Sequence, residues 1–315
     1  MTYALVLVVL ALGFPWGGAL VAQRLAGLLP PREACWGLTG AAVLLAGGTT
    51  TALIGLLHVP FLALFERVPL SRVLEVWPAA VPFAVAAGVA LSVQVTLLLS
   101  RWFRQRSLLR RAWQAVGQGT GEGDLIVVPG ADVDAFALPG HRGRRGRVVM
   151  TSAAVRSLRA KERAVLMAHE RAHLAGRHHL LSAVVDLAAV VHPALRGVRE
   201  SLAFHLERWA DERAAAVVGD RRVTAAAIAR VALARSAQDR PRAGGVPLLS
   251  AASGPVPRRV EALLRPERAA PGGRGRRAGA VVLAATIAAV ALTTLAMTYG
   301  LHEYVEFACV AVRGG

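Results

Sequence analysis

Residues 164–179 read AVLMAHERAHLAGRHH, and the interpretation of the rest of the chain starts from this stretch. Apolar residues surround two histidines, His169 and His173, which are four positions apart. Residues four apart lie on the same face of an α-helix, so a helix here points both imidazoles in one direction. Two imidazoles in this arrangement can bind one divalent cation, and Glu170 between them can accept a proton. The H-E-x-x-H pattern therefore predicts a metal centre on a helix.

A catalytic metal of this kind needs a third protein ligand, and the sequence offers two candidates. One is His179, which together with Gly176 extends the motif to H-E-x-x-H-x-x-G-x-x-H. Proteins with that longer pattern also have a methionine turn below the metal, whereas the only methionine after the motif is Met297. We therefore treat His179 as the minority interpretation, and expect His178 and His179 to lie near the helix end as solvated or interfacial residues.

The second candidate is Glu207, in the stretch ERWAD at residues 207–211 of the next predicted helix. Glu207 and Asp211 are one helical turn apart and face the same way. Glu207 can therefore ligate the metal while Asp211 accepts a hydrogen bond from a ligand histidine. This interpretation assigns one zinc ion to His169, His173 and Glu207, with Glu170 as the catalytic residue and Asp211 behind the ligands.

The composition is that of a membrane protein. Hydrophobic residues make up 55% of the 315 residues, mean hydropathy is +0.47, and only 18% of the residues are charged. Stretches of about 20 apolar residues are long enough to cross a hydrocarbon core of about 30 Å. Such stretches occupy about residues 3–22, 36–57, 77–100 and 278–299. The first is expected to be retained, because a signal peptide would have basic residues before it.

The formal net charge of +17 comes almost entirely from arginine, and its placement predicts the orientation in the membrane. Arginines are dense in residues 101–111, after the third span, and in residues 265–277, before the fourth. Basic residues next to spans stay in the cytoplasm. We therefore predict a multi-pass protein of the cell membrane with both termini outside. No nucleic-acid-binding motif accompanies the basic charge, so direct nucleic acid binding is not expected.

The polar region between the third and fourth predicted spans is the part that can form a water-facing domain. The predicted division is residues 1–113 with three spans and a basic flank, 114–275 with a cytoplasmic domain, and 276–315 with the fourth span and a short outer tail. Two β-like runs open the domain, and helices follow. The predicted elements are strands at 125–128 and 147–151 and helices at 152–158, 160–190, from the His192-Pro193 break to 218, 222–236 and 258–264.

The polar domain resembles the membrane metallopeptidases of the BlaR/MecR type and, more distantly, the HtpX and CAAX-prenyl-protease group. These share a gluzincin site of H-E-x-x-H followed by E-x-x-x-D. The resemblance is carried by residues 134–137, 148–152, 169–173, 192–193, 207–211 and 258–264. It implies a mostly α membrane protein of four transmembrane helices, with an α+β zincin-type metallopeptidase domain between helices three and four. BlaR/MecR receptors also carry a penicillin-binding sensor after the last span, and no such domain is expected here.

The same resemblance implies a zinc-dependent endopeptidase that hydrolyses peptide bonds of a cytoplasmic protein in regulatory signalling. Its substrate would be a transcriptional repressor of the BlaI/MecI kind, and the lipid bilayer is its other partner. The strand containing Ala135, Phe136 and Ala137 would bind the substrate backbone by strand addition. His205 and Arg208 are both candidates for the group that stabilises the oxyanion, and the sequence does not choose between them.

Two other functions compete with regulatory proteolysis. One is quality control of damaged membrane proteins, as in HtpX, and a neighbouring repressor gene would argue against it. The other is a non-catalytic membrane scaffold or signalling partner that keeps the fold. A scaffold would not require all of the metal ligands and the catalytic glutamate, so their joint presence argues against it.

Overall fold

The computed structural model describes residues 2–65, 69–117, 121, 123–141, 143–238 and 256–265, with isolated positions between 281 and 303. The helices are α1 (Thr2–Ala26), α2 (Pro31–Phe65), α3 (Leu70–Val76), α4 (Ala80–Val116), α5 (Ser152–Ser157), α6 (Ala160–Ala175), α7 (His178–Val191), α8 (Leu195–Val218), α9 (Arg221–Gln238) and α10 (Val256–Leu264). The strands are β1 (Leu125–Val128), β2 (Ala135–Leu138) and β3 (Arg147–Thr151). The predicted fourth span at 278–299 lies outside the described residues, apart from isolated positions.

Within the described parts of the chain, two helices are long and apolar enough to cross a membrane: Pro31–His58 of α2 and all of α4. They cover the second and third predicted spans. Helices α6 and α7, bent by 57° at their junction, pass the same test only when they are counted together. Helix α1 covers the first predicted span but is not one of these candidates, so that span stays a prediction. The described residues therefore contain two or three candidate spans by length and composition.

Helix α4 connects the membrane to the polar domain. Its 37 residues extend about 55 Å at a helical rise, well beyond the thickness of a hydrocarbon core of about 30 Å. Its C-terminal part carries the arginines of residues 101–111. Near its end, Trp113 Nε1 donates a hydrogen bond to the Pro139 carbonyl at 3.0 Å, just after β2. The sheet is thereby attached to the end of a candidate membrane helix.

The small sheet has the strand order β1-β3-β2. Strand β1 pairs with β3 in parallel, and β2 pairs with β3 antiparallel, with Phe136 opposite Val149. Strand β3 leads directly into α5, where the Thr151 side chain accepts the Ala154 N–H at 3.2 Å and caps the helix. Strand β2 is therefore at one edge of the described sheet.

The helix predicted over residues 160–190 is two helices in the structure. Helix α6 ends before Gly176, and Arg177 adopts a left-handed conformation with φ of 50°. A side chain at position 176 would collide with the ring of His178, so glycine permits the close approach at this bend. The prediction of one continuous helix was wrong, because a single left-handed residue redirects the chain.

The largest buried cluster among the described residues joins α1 and α2 to two helices of the polar domain, α7 and α8. It is formed by the faces of α1, α2, α7 and the first half of α8 that point toward one another. Its fully buried members include Ala34, Cys35, Leu38, Ala42, Val185, Leu195, Val198 and Leu202. A separate cluster packs the sheet against α5, α6 and α9 around Val148, Met150, Ala154 and Leu166. The helices α7 and α8 therefore share one core with α1 and α2.

Candidate metal centre

Helix α6 presents the motif from a well-anchored position. At its start the Glu162 carboxylate accepts the Arg159 N–H at 2.9 Å. On its outer face, Arg171 makes two hydrogen bonds of 2.7 Å with Asp124, next to β1. The inner face packs against β2, β3 and α8. His169 and Glu170 are each only 7% exposed, so both side chains are buried between α6 and the elements packed against it.

The predicted ligands come together. His169 Nε2 lies 3.1 Å from His173 Nε2, and each of these nitrogens lies 3.5 Å from an oxygen of Glu207. Four ligands at zinc-binding distances of about 2.0–2.1 Å in a tetrahedron are separated by about 3.4 Å along each edge. The Glu207 carboxylate approaches each nitrogen with a different oxygen, and all three side chains are close enough to one another to share one ion. Within the described residues, these three side chains are the group able to hold a metal ion.

A carboxylate and a guanidinium lie behind the ligands. His169 Nδ1 is 3.0 Å from Asp211 Oδ1, as expected for the partner of a ligand histidine. Arg259, from α10, makes contacts of 2.8 and 2.7 Å with the two oxygens of Asp211. Its Nη1 also lies 2.8 Å from Glu207 Oε2. Arg259 therefore fixes both carboxylates relative to His169, a role that the sequence did not reveal.

The local charges prepare the site for a cation. Burial alone would raise the pKa of Glu207, but His169, His173 and Arg259 outweigh it and hold that pKa well below its ordinary value. Burial and the neighbouring His169 lower the pKa of His173 to about 4. For His169, burial is outweighed by Asp211 and Glu207, which raise its pKa to about 10. The negative potential that retains a proton on His169 would equally attract a divalent cation.

His178 has an unexpected position. It is 3% exposed, its Nδ1 lies 2.8 Å from His173 Nδ1, and its ring lies 4.5 Å from that of Trp209. The expectation of a solvated or interfacial His178 was therefore wrong, because the bend at Gly176 turns this side chain back toward the site. His178 contacts the Nδ1 atom of His173 in the same way that Asp211 contacts the Nδ1 atom of His169.

The structure does not bring the other predicted candidates, His179, His205 and Arg208, into the metal-binding group. The described metal-binding group contains Glu207 and does not contain His179, which is half-buried on α7. His205 Nδ1 and Arg208 Nε are buried and have no hydrogen-bond partner among the described residues. The structure therefore gives neither His205 nor Arg208 a defined role. Arg259 instead faces Glu170 as well as Asp211 and Glu207, since all three carboxylates raise its pKa against the effect of burial.

Substitutions of His178 can separate its hydrogen bond from its bulk. For His173 Nε2 to offer its lone pair to a metal, the ring proton must be on Nδ1 and be donated to His178 Nδ1. Asparagine can place an oxygen near the position of Nδ1, whereas glutamine places it near Nε2. We expect His178→Asn to bind zinc nearly as the wild type does, and His178→Gln to bind it about 10–100-fold more weakly. Competition with a fluorescent chelator measures both affinities, and equal values would contradict this role.

Zinc affinity should depend on pH in a defined way. His169 has a raised pKa of about 10 and His173 a lowered pKa of about 4, so between these values His169 alone must lose a proton for the metal to bind. The apparent association constant should therefore rise about tenfold per pH unit from about pH 5 to pH 9. Chelator competition at several pH values measures this slope. A flat profile would show that no proton is displaced.

Part of the chain matches a protein-family model. No curated protein and no solved structure matched the chain. The matching family model extends from the C-terminal part of α4 through the sheet to the end of α9, and so includes every proposed ligand and Glu170 but not Arg259. Metallopeptidases of that family are typically zinc-dependent, which agrees with the ligand set of His169, His173 and Glu207. Residues 104–237 match the model of peptidase family M48, and this match supports a zinc metallopeptidase of the membrane type.

Proposed function

We propose that the protein is a membrane-embedded zinc endopeptidase that hydrolyses peptide bonds of a cytoplasmic protein. The observation that carries the proposal is the triangle of His169, His173 and Glu207, with Glu170 next to the first ligand on the same buried helix. A scaffold would need neither this convergence of three ligands nor the buried Asp211 carboxylate behind them. The match to peptidase family M48 supports the same chemistry.

Each residue of the site has a separate role in the proposed hydrolysis. Zinc bound by the three ligands would polarise a carbonyl and make a water molecule more acidic. Glu170 accepts the proton of the attacking water and delivers it to the leaving nitrogen. Asp211 orients the His169 ring, and His178 orients the His173 ring. Arg259 holds Glu207 and Asp211 in fixed relative positions from α10.

We further propose that β2 binds the substrate backbone. Ala135, Phe136 and Ala137 lie on this edge strand, which packs beside α6. An extended peptide can add to a sheet edge through main-chain hydrogen bonds, and its alternating side chains then determine specificity. The proximity of this edge to the motif helix would bring a peptide bond toward Glu170.

The setting proposed for this chemistry is the cytoplasmic face of the cell membrane, with residues 114–275 as the peptidase domain. The arginines of residues 101–111 at the end of α4 support this orientation. A regulatory substrate such as a BlaI/MecI-type repressor rests on the resemblance described above. Protection of residues 114–275 from protease added outside intact cells would support the orientation, and cleavage there would contradict it.

Metal removal tests the proposed activity directly. Purified protein in lipid vesicles should cleave an unfolded protein such as casein, because strand addition requires an extended chain. Treatment with 1,10-phenanthroline should abolish cleavage, and addition of zinc after removal of the chelator should restore it. A protein with stoichiometric zinc that cleaves neither casein nor a co-expressed repressor would contradict the proposal.

A further inference from the structure

The segment between the motif helix and Glu207 is a helical hairpin. Helix α7 runs away from the metal centre, the chain turns at His192-Pro193, and α8 returns to Glu207. We refer to residues 178–206 as the α7–α8 hairpin. Between residues 187 and 198, Arg196 is its one charged residue. So apolar a hairpin is unusual for a domain that faces water.

The tip of the hairpin contacts the interior segments of two membrane helices. His192 Nε2 donates to the Leu12 carbonyl of α1 at 3.1 Å, and Gln94 Nε2 of α4 donates to the Val191 carbonyl at 3.1 Å. Leu12 precedes Arg24 by twelve residues, about 18 Å along α1. Gln94 precedes Arg101 by seven residues, about 10 Å along α4. The tip therefore lies well below the arginines that mark the cytoplasmic ends of these helices.

One face of the hairpin is buried against the membrane helices. The side chains on this face are small or aliphatic, and they pack into the cluster shared with α1 and α2. Its members on the hairpin are Leu181, Val185, Ala188, Ala194, Leu195, Val198, Leu202 and Leu206. The hairpin is thus held beside the spans along its whole length, from the tip to the residue before Glu207.

An adjacent face of α7, about 100° around the helix axis from the buried face, carries an apolar stripe that no described residue covers fully. Leu180 is 48% exposed and Val184 is 38% exposed, while Leu187 and Val191 are half-buried. These positions follow the spacing of one helical face. Exposed aliphatic side chains at the depth of a bilayer have hydrocarbon as their natural surroundings.

Three of the four charged residues of the hairpin, Asp186, Arg196 and Arg199, fit the same placement. Asp186 Oδ1 on α7 lies 3.8 Å from Arg199 Nη1 on α8, so these two opposite charges partly neutralise each other. Arg101 at the end of the α4 span acts on Asp186 electrostatically, which places this pair near the cytoplasmic flank. Arg196 is closer to the tip, and its long stem allows the guanidinium to reach toward the same level.

We propose that the α7–α8 hairpin is a re-entrant element that enters the bilayer from the cytoplasmic side and turns back within it, with the stripe 180/184/187/191 in contact with lipid acyl chains. Its backbone is helical except at the turn, where membrane helices supply hydrogen bonds to the main chain and to His192, as irregular backbone inside a bilayer requires. Glu207 is twelve residues beyond Leu195 on the same helix, about 18 Å from the tip. The metal centre is therefore held close to the membrane surface.

Spin-label accessibility in lipid vesicles tests this placement. Single cysteines at Leu180 and Val184 are labelled with a nitroxide after replacement of Cys35 and Cys309 by alanine, and retained zinc shows that each variant is folded. Two exposed valines are matched controls: Val89, 59% exposed on the α4 span, and Val217, 74% exposed at the far end of α8. Oxygen reports lipid exposure, and a water-soluble nickel chelate reports aqueous exposure.

We expect the label at Val184 to resemble that at Val89, with oxygen collisions exceeding nickel collisions severalfold, and the label at Val217 to show the reverse. The label at Leu180 should lie nearer the surface, since Val184 is about 6 Å further along α7. Nickel accessibility at Val184 equal to that at Val217 would overturn the proposal. Exclusion of both reagents from Val184 would also overturn it, because a protein partner would then cover the stripe.

Discussion

Replacing Glu170 with glutamine is expected to lower kcat/KM for peptide cleavage by about 10²–10⁴-fold while leaving the bound zinc in place. Glu170 is buried on α6 beside His169, but it is not a member of the described metal-binding group. Glutamine preserves its size and removes its ability to accept and return a proton. Cleavage of a fluorogenic peptide by protein in vesicles measures the rate, and metal analysis of the same samples measures zinc.

A glutamate on the same helix gives the control. Glu162 is also buried, accepts the Arg159 N–H and lies 2.8 Å from Arg230. Glutamine at position 162 can still accept that hydrogen bond, so Glu162→Gln should keep activity close to that of the wild type. Unchanged cleavage by Glu170→Gln would remove Glu170 from its assigned role. An equal loss in both variants would indicate damage to α6 rather than loss of a proton acceptor.

The part of the site that the sequence predicted is the part determined by local helical geometry. His169 and His173, and likewise Glu207 and Asp211, are four residues apart, and helical periodicity alone places each pair on one face. The apolar stretches that became α2 and α4 were visible for a similar reason, since a span needs only length and low charge. Both are properties of one continuous segment, which can be assessed without knowing the tertiary structure.

Arg259 and His178 were missed because their roles depend on how separate segments pack. Arg259 is 48 residues from Asp211 along the chain, so no spacing rule connects them. A continuous helix would place His178 about 140° around the axis from His173, on a different face. The left-handed Arg177 breaks the helix and returns the His178 ring to His173. The only sign of this break in the sequence was Gly176. A glycine permits a bend, but it does not determine the direction of the helix that follows.

The depth of the α7–α8 hairpin was also beyond sequence reasoning. Its segments are shorter than a full span, and the first half of α8 contains Arg196 and Arg199, so hydropathy alone favours a place in the polar domain. Contacts with Leu12 and Gln94 place its tip beside α1 and α4, and the proposed depth rests on them. These pairs are separated by 180 and 97 residues in the chain.

Replacing Glu207 with alanine should weaken zinc binding by more than about 100-fold, exceeding the usual cost of losing a residue that only orients a ligand. Two histidines on one helix would remain, and the carboxylate oxygens that lie 3.5 Å from them would be gone. Arg259 would keep its paired contacts with Asp211, so the variant leaves no buried guanidinium without a partner. Metal analysis of protein purified at matched free zinc measures the loss.

His179→Ala is the decisive comparison, because His179 is the competing third ligand in the longer histidine motif. It is half-buried on α7 and outside the described metal-binding group, so its removal should leave zinc stoichiometry and affinity close to those of the wild type. Asp211→Asn should fall between the two variants, weakening zinc binding by about 10–100-fold because His169 loses the charge of its partner but keeps its own ligand atom. Loss of zinc in His179→Ala together with retention in Glu207→Ala would reverse the assignment. The metal would then be held by His169, His173 and His179, with Glu207 outside the ligand set.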